Sequence, residues 1–428
     1  VMARAYFKYR ICLCFLTLDR NSFMKVHELL NNALELISVA NSLQDPNYII
    51  IKSTQGMKVI GIKKNDYQLY ASLIESIFLE NDTLHPKFSK ENIFKFIEKQ
   101  IFNKYIKKEK FEEKDNDIFF NELELIEKQD SYIIAPISGI RLDKLDRINI
   151  SIFEIGKANC LKGLINTNAY EYYIAVKIND FYDKDIAIQQ AHNLFLDFIR
   201  IISFMSGISN KQLAIKVGLP AYPSLDIYQI YKETNSFYMS KNLNTDFFDV
   251  SLKNEYINKI PIDDDFFCKN DFFHKLWIFL ERYHTNPKSL NDMESRLLNC
   301  SIAVGESLFN SNTKNSIIYT SIALETLLSL DERELFQASI GEKISEGFAY
   351  LIGKTPETRI EASKFVKKFY GIRSAIVHGG KANINNDYTT INQYLRSCVQ
   401  TFLNDKDLSE IRTLQQFREL LQKAKYSY

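Results

Sequence analysis

The stretch Lys364-Phe-Val-Lys-Lys-Phe-Tyr-Gly-Ile-Arg373-Ser-Ala-Ile-Val-His378-Gly-Gly-Lys381 carries apolar residues at helical spacing and ends on a glycine pair. Phe365, Phe369, Ile372 and Ile376 recur at i, i+4, i+7 and i+11, which predicts a helix with one buried stripe and a stop at Gly379-Gly380. Lys364, Lys367, Lys368, Arg373 and Lys381 lie off that stripe. Across residues 361–381 five basic side chains face one carboxylate, Glu361, a local charge of +4 that suits a phosphate backbone. Arg373 and His378 are five residues apart, roughly 140° around an ideal helix, so they diverge, whereas Ser374 and His378 share a face. Convergence of the arginine and the imidazole needs the reach of Arg, unwinding at the glycine pair, or a second copy of the chain.

Working outward, helical patterns fill the C-terminal part: Asp271 to Tyr283, Leu290 to Phe309, Ser316 to Leu328, Glu334 to Leu351, Glu357 to His378, Tyr388 to Leu403 and Leu408 to Lys425. Asn286-Pro287, the segment 310–315 and Thr355-Pro356 punctuate them. This is an all-helical bundle over 266–428. Within it Gly347 to Thr355 imitates a phosphate-binding loop. Five residues separate its glycines instead of four and no strand precedes it, so Gly353 reads as a helix terminator.

Upstream the texture is mixed. Residues 1–117 read as a helical region with a hairpin: a helix from Asn21 to Ser42, strands Tyr48 to Lys52 and Met57 to Lys63 around Ser53-Thr54-Gln55-Gly56, and helices Tyr67 to Glu80 and Lys90 to Tyr105. His27-Glu28 has no second histidine, which rules out HExxH zinc chemistry. The mixed-charge run Lys107 to Asp117 is a solvated helix end or linker. Residues 118–265 read as an α+β middle domain. Its strands fall at Tyr132 to Ala135, Ile148 to Ile155, Tyr170 to Ile178 and Ala214 to Val217, with a helix from Ile186 to Met205 stopped by Gly207. Leu225 to Tyr231 and Ser236 to Ser240 suggest a further hairpin, whose tyrosines are ordinary strand packing more often than base-stacking platforms. Asp263-Asp264-Asp265 lacks further oxygen ligands and reads as a helix-capping or solvated segment. The fold class is therefore α+β: a mixed N-terminal region followed by an all-α bundle.

Composition narrows the function classes. The chain has 428 residues, 46% apolar and 25% charged, with a net charge of +1, so a nucleic-acid partner must use a local patch. Six cysteines, Cys12, Cys14, Cys160, Cys268, Cys300 and Cys398, lack the paired spacing of a zinc site and fit a reduced, cytoplasmic protein. Ile11 to Leu18 mimics a signal peptide, but no small-residue cleavage site follows and Asp19-Arg20-Asn21 interrupts it. No apolar run approaches a membrane span, because Leu194 to Ile208 contains Asp197 and Arg200. No GxGxxG follows a strand, so a dinucleotide site is not expected.

The Arg373-x4-His378 spacing within Tyr370-Gly-Ile-Arg-Ser-Ala-Ile-Val-His-Gly-Gly, preceded by Ser321-Ile-Ala-Leu-Glu325-Thr-Leu-Leu, resembles the Apea-like branch of the HEPN superfamily over about residues 290–400. The resemblance implies a metal-independent endoribonuclease without cofactors, acting as a toxin or effector of anti-phage defence, with a composite site where two motif helices meet in a homodimer. It implies that His378 moves the proton of the ribose 2′-hydroxyl or of the leaving 5′-oxygen, general acid–base work that imidazoles commonly do. Arg373 would bind the scissile phosphate. Ser374 stands where many active members carry Asn, Asp or His, and it can still donate or accept a hydrogen bond. Glu325 is a candidate to pair with Arg373 or to orient His378, with plain helix-surface placement equally open. Lys364, Lys367, Lys368 and Lys381 are the RNA-binding candidates. The N-terminal two-thirds would sense a phage-derived trigger or a regulatory partner. The alternative is a catalytically inactive HEPN module that dimerises and binds RNA or protein.

Overall fold

Amphipathic spacing after Lys25 produces a helix, α1 (Val26–Glu35), that is shorter than the sequence pattern predicts. Beyond the Leu36 cap the chain becomes a strand, β1 (Ile37–Ala40), because Ile37 and Val39 pair with Ile62 and Ile60 of a later strand. Non-local pairing overrides the helical period here, as β-branched residues permit. The computed structural model describes residues 25–42, 44–53, 59–79, 84–161, 171–207, 215–218, 236–241, 248–253, 259–310, 312–329, 340–379 and 387–426. The signal-like start, the hairpin turn at 54–56, the segment Leu225 to Tyr231, Cys12, Cys14, Gly380 and Lys381 lie outside them.

Contacts group the chain into two units, Val1–Asp130 with Asn179–Ile188, and Ser131–Ile178 with Gln189–Tyr428. In the first, β2 (Tyr48–Ser53) and β3 (Val59–Lys63) form the expected antiparallel pair, and β1 completes a sheet of order β1-β3-β2. Helices α2 (Tyr67–Leu79) and α3 (Lys90–Lys107) follow the sequence pattern, and the Ser89 hydroxyl caps the second. Two single turns, α4 (Asp115–Ile118) and α5 (Asn121–Glu124), come next. Phe111, Phe119 and Phe120 share one core with Leu30, Ile74 and Ile97, so the charged run contributes a buried aromatic as well as solvated lysines.

The second unit contains a five-stranded sheet of order β6-β7-β8-β4-β9, built from β4 (Gln129–Ser138), β6 (Arg147–Ile150), β7 (Phe153–Lys157), β8 (Tyr172–Phe181) and β9 (Lys216–Val217). The run Ile148 to Ile155 is two strands, since Ser151 takes φ 54° and folds Ile150 back onto Phe153. Strand β10 (Ser236–Lys241) pairs with β11 (Phe248–Lys253), a segment the sequence pattern does not mark as a strand. A short β5 (Ile140–Arg141) runs parallel to β12 (Ile260–Pro261). Helix α6 (Lys184–Ser206) ends at Gly207, whose φ of +66° needs glycine. The Arg396 guanidinium takes the Phe204 and Met205 carbonyls there at 2.6 Å each.

The aspartate run divides its work. Asp264 caps α7 (Asp265–Cys268) by accepting from the Phe267 N–H, and Asp263 accepts backbone N–H bonds from Asp143, Lys144 and Leu145 at 3.0, 2.6 and 2.9 Å. Burial opposes the Asp263 charge, but these three donors outweigh it and hold the carboxyl below its ordinary range. A depressed folded pKa gives stability that is full above the unfolded value of ~3.9 and is lost as pH falls through the folded one. Asp263→Ala is therefore expected to lower stability by about 2–3 kcal/mol at neutral pH. Urea midpoints should show that gap narrowing below about pH 4.

The helices that follow are α8 (Asp271–Thr285), α9 (Asp292–Phe309), α10 (Thr313–Leu328), α11 (Ile340–Ile352), α12 (Pro356–Val377), α13 (Asp387–Asn404) and α14 (Leu414–Tyr426). Asn270, Asn291, Asn312 and Thr355 cap α8, α9, α10 and α12 through their side chains. Phe198 of α6 stacks on Trp277 of α8, and both lie against Phe153 of the sheet. In the bundle interior Ser307, Thr320 and Asn392 close a buried hydrogen-bond triangle of 2.8–2.9 Å that fixes α9, α10 and α13 in register. The chain is thus α+β, mixed first and helical after. Among the described residues no helix is long and apolar enough to cross a membrane.

Candidate functional site

Helix α12 carries the motif, and Gly353 and Thr355 set where it begins. Gly353 follows α11, and the Thr355 hydroxyl accepts from the Thr358 N–H, so the imitation phosphate loop is a helix–helix junction. The helix rests mainly on α11, with lighter contact to α10 and α13. Its buried residues are Val366 and Phe369, while Phe365, Ile372 and Ile376 of the expected stripe are only half-buried. The stripe rotates toward Val366 because one neighbouring helix supplies most of the cover.

Its far end stops as the glycine pair predicts. The His378 N–H closes the last turn onto the Ser374 carbonyl at 3.0 Å, with φ −93° and ψ 13°, and Gly379 takes φ +73°. Only glycine adopts that left-handed turn without cost, so the histidine is placed at the helix terminus. Ser374 and His378 are exposed. Among the described residues no hydrogen bond or ion pair ties the imidazole.

Arg373 points elsewhere. Its Nη2 lies 3.6 Å from Glu325 Oε1 on α10, an ion pair too long for a hydrogen bond, and both side chains are 34% exposed. At that exposure the pair is worth about 0–1 kcal/mol. The Arg373 Nε is buried without a partner, and no hydrogen bond holds either terminal nitrogen among the described residues. Tyr370, one turn before Arg373, donates its hydroxyl to the same Glu325 oxygen at 3.2 Å. Burial and the adjoining Glu325 carboxylate push the phenol well up, so it remains a donor. Sequence reasoning missed Tyr370. The signal was its i, i+3 spacing from Arg373, which places both on the side facing α10.

The structure therefore joins Arg373 with Glu325 and leaves His378 and Ser374 on a different face, with no direct bond between the two sets. Lys364, Lys367 and Lys368 are exposed, and Lys368 lies 3.3 Å from Asp387. Two of the five local positive charges are thus offset, that of Arg373 by Glu325 and that of Lys368 by Asp387. Cys300 and Cys398 are buried and burial pushes both thiols well up, which makes them core residues. Among the described residues no three His, Cys, Asp or Glu side chains are grouped to hold a metal ion.

No family model, curated protein or solved structure matches the chain.

Proposed function

We propose that the C-terminal helical region is a metal-independent endoribonuclease of the HEPN kind, active in the cytoplasm as a toxin or effector of anti-phage defence. The observation that carries this reading is the state of Arg373 and His378. The guanidinium has a weak ion pair and an unsatisfied Nε, and five residues on stands an imidazole that no described residue bonds, at a helix end. A phosphate would give the guanidinium the hydrogen bonds that Glu325 at 3.6 Å does not. His378 would take the proton of a ribose 2′-hydroxyl, whose oxygen then attacks the neighbouring phosphorus. The bond from phosphorus to the 5′-oxygen breaks, and that oxygen takes a proton from a second imidazole. The products are a 2′,3′-cyclic phosphate and a 5′-hydroxyl, so DNA is inert.

Arg373 and His378 face apart within one copy, so the reading requires a homodimer in which two α12 ends meet. Light scattering at micromolar concentration should give twice the chain mass, and a monomer would argue against the composite site. Residues upstream of the bundle would restrain it until a phage-derived trigger or regulatory partner arrives. RNA integrity in cells making the wild type, Arg373→Ala or His378→Ala, with and without phage, tests the activity, and EDTA should leave it intact. A second reading, an inactive HEPN module for dimerisation and binding, draws on the Tyr370–Glu325–Arg373 contact, which also serves plain helix packing. Intact RNA in all these cells would favour it.

A further inference from the structure

Lys364, Lys367, Lys368, Gly371, Ser374 and His378 are all exposed and follow one another at helical spacing, so they form a single strip along α12. From the first to the last the strip is about 21 Å long at the α-helical rise. Gly371 is the anomaly in it. A glycine in a helix interior costs about 1 kcal/mol relative to alanine. Among the described residues nothing asks for it: a Cβ there would meet no described atom within 4 Å, and its φ is not in the left-handed region. What it provides is bare backbone on the exposed face, between the lysines and Ser374 with His378.

The lysines are equally unexplained by the fold. Lys364 and Lys367 form no ion pair among the described residues, and Lys368 has one, to the half-buried Asp387 at 3.3 Å. The helix dipole acts within the last turn, and all three lie further from the C-terminus than that. Glu357 and Glu361 close the strip at its other end, where a polyanion would be repelled. A partner helix seated on Gly371 would want apolar flanks, whereas here the flanks are cationic or hydroxylated. Charge complementarity selects a phosphodiester chain.

We infer that this strip is the track for single-stranded RNA, with the sugar–phosphate backbone lying closest to the helix at Gly371 and running from the lysines toward Ser374 and His378. The choice of RNA over DNA rests on the nuclease reading. The test uses the full-length chain and a fluorescent 2′-O-methyl oligouridylate, which binds but has no free 2′-hydroxyl to cleave. Gly371→Leu should weaken binding about tenfold while leaving the melting temperature equal or higher, since leucine is the better helix former. Lys364→Glu with Lys367→Glu should weaken it further and flatten its salt dependence. The track is overturned if the wild type does not bind, if Gly371→Leu binds as the wild type does, or if Gly371→Leu converts a dimer to a monomer, which would make the strip a helix–helix contact. The two ideas fail separately. Binding that follows this pattern in a protein without cleavage activity would keep the track and sink the nuclease. Cleavage of ordinary RNA by Gly371→Leu at the wild-type rate and affinity would keep the nuclease and sink the track.

Discussion

Replacing His378 by alanine is expected to lower RNA cleavage by about 10²–10⁴-fold, the range that positioned proton transfer supplies. The fold should not notice. His378 is exposed and its side chain has no bonded partner among the described residues, so the melting temperature of the variant should match the wild type. Arg373→Ala is expected to cost about 10²–10³-fold by removing the charge that meets the developing phosphorane. It gives up only a weakly paired guanidinium and its orphaned Nε, so stability should change by no more than about 1 kcal/mol. Arg373→Lys should not restore activity, because an ammonium lacks the planar fork that binds two phosphate oxygens. If both residues act on one phosphate, the double variant should be barely worse than either single one. Cleavage that persists in both single variants, measured on purified protein with defined RNA, would remove the nuclease reading.

The parts of the fold legible in sequence are those whose causes are local. The helices from Asp271 onward could be placed because a 3.6-residue period coincides with side chains that cap helices, Asn270, Asn291, Asn312 and Thr355. The glycine stop after His378 is of the same kind. Misreadings arose where a distant strand decided the outcome: Ile37 to Ala40 left the helical pattern for β3, and Ser236 to Lys241 paired with Phe248 to Lys253. The site shows the same division. The spacing alone separated Arg373 from the face of Ser374 and His378. Which neighbour would receive the guanidinium was open, because Glu325 meets it only through the packing of α10 on α12. Tyr370 and Asp387 became partners of the site through the same tertiary contacts, which no periodicity reports.

The largest stability effect is expected at a place no motif marks. Arg200 on α6 donates from Nε to Glu306 Oε2 at 2.6 Å and from Nη1 to Asp197 Oδ1 at 2.9 Å, and His284 Nε2 lies 3.2 Å from the other Asp197 oxygen. All four side chains are more than two-thirds buried. Burial works against the Arg200 charge, yet the two carboxylates outweigh it and raise its pKa. Water has little access to replace it. Gly305, beside Glu306, is so close to α6 that an added Cβ would sit 2.0 Å from the Arg200 carbonyl oxygen, which means the two helix backbones touch. Arg200→Ala would leave the Asp197 and Glu306 carboxylates without the guanidinium that bonds both, at an expected cost of about 3–5 kcal/mol. That is a large share of the 5–15 kcal/mol typical of a folded domain. Neutralising the arginine and both carboxylates with Arg200→Met, Asp197→Asn and Glu306→Gln should recover most of the loss, because the penalty comes from unpaired buried charge and not from missing volume. Urea midpoints of the single and triple variants decide the point, and equal destabilisation by both would show that packing, not charge, is what Arg200 supplies. Cleavage should follow the same order as stability. The residue after Glu306 is Ser307, whose hydroxyl network with Thr320 and Asn392 fixes α10, and α10 is the helix that presents Glu325 to Arg373.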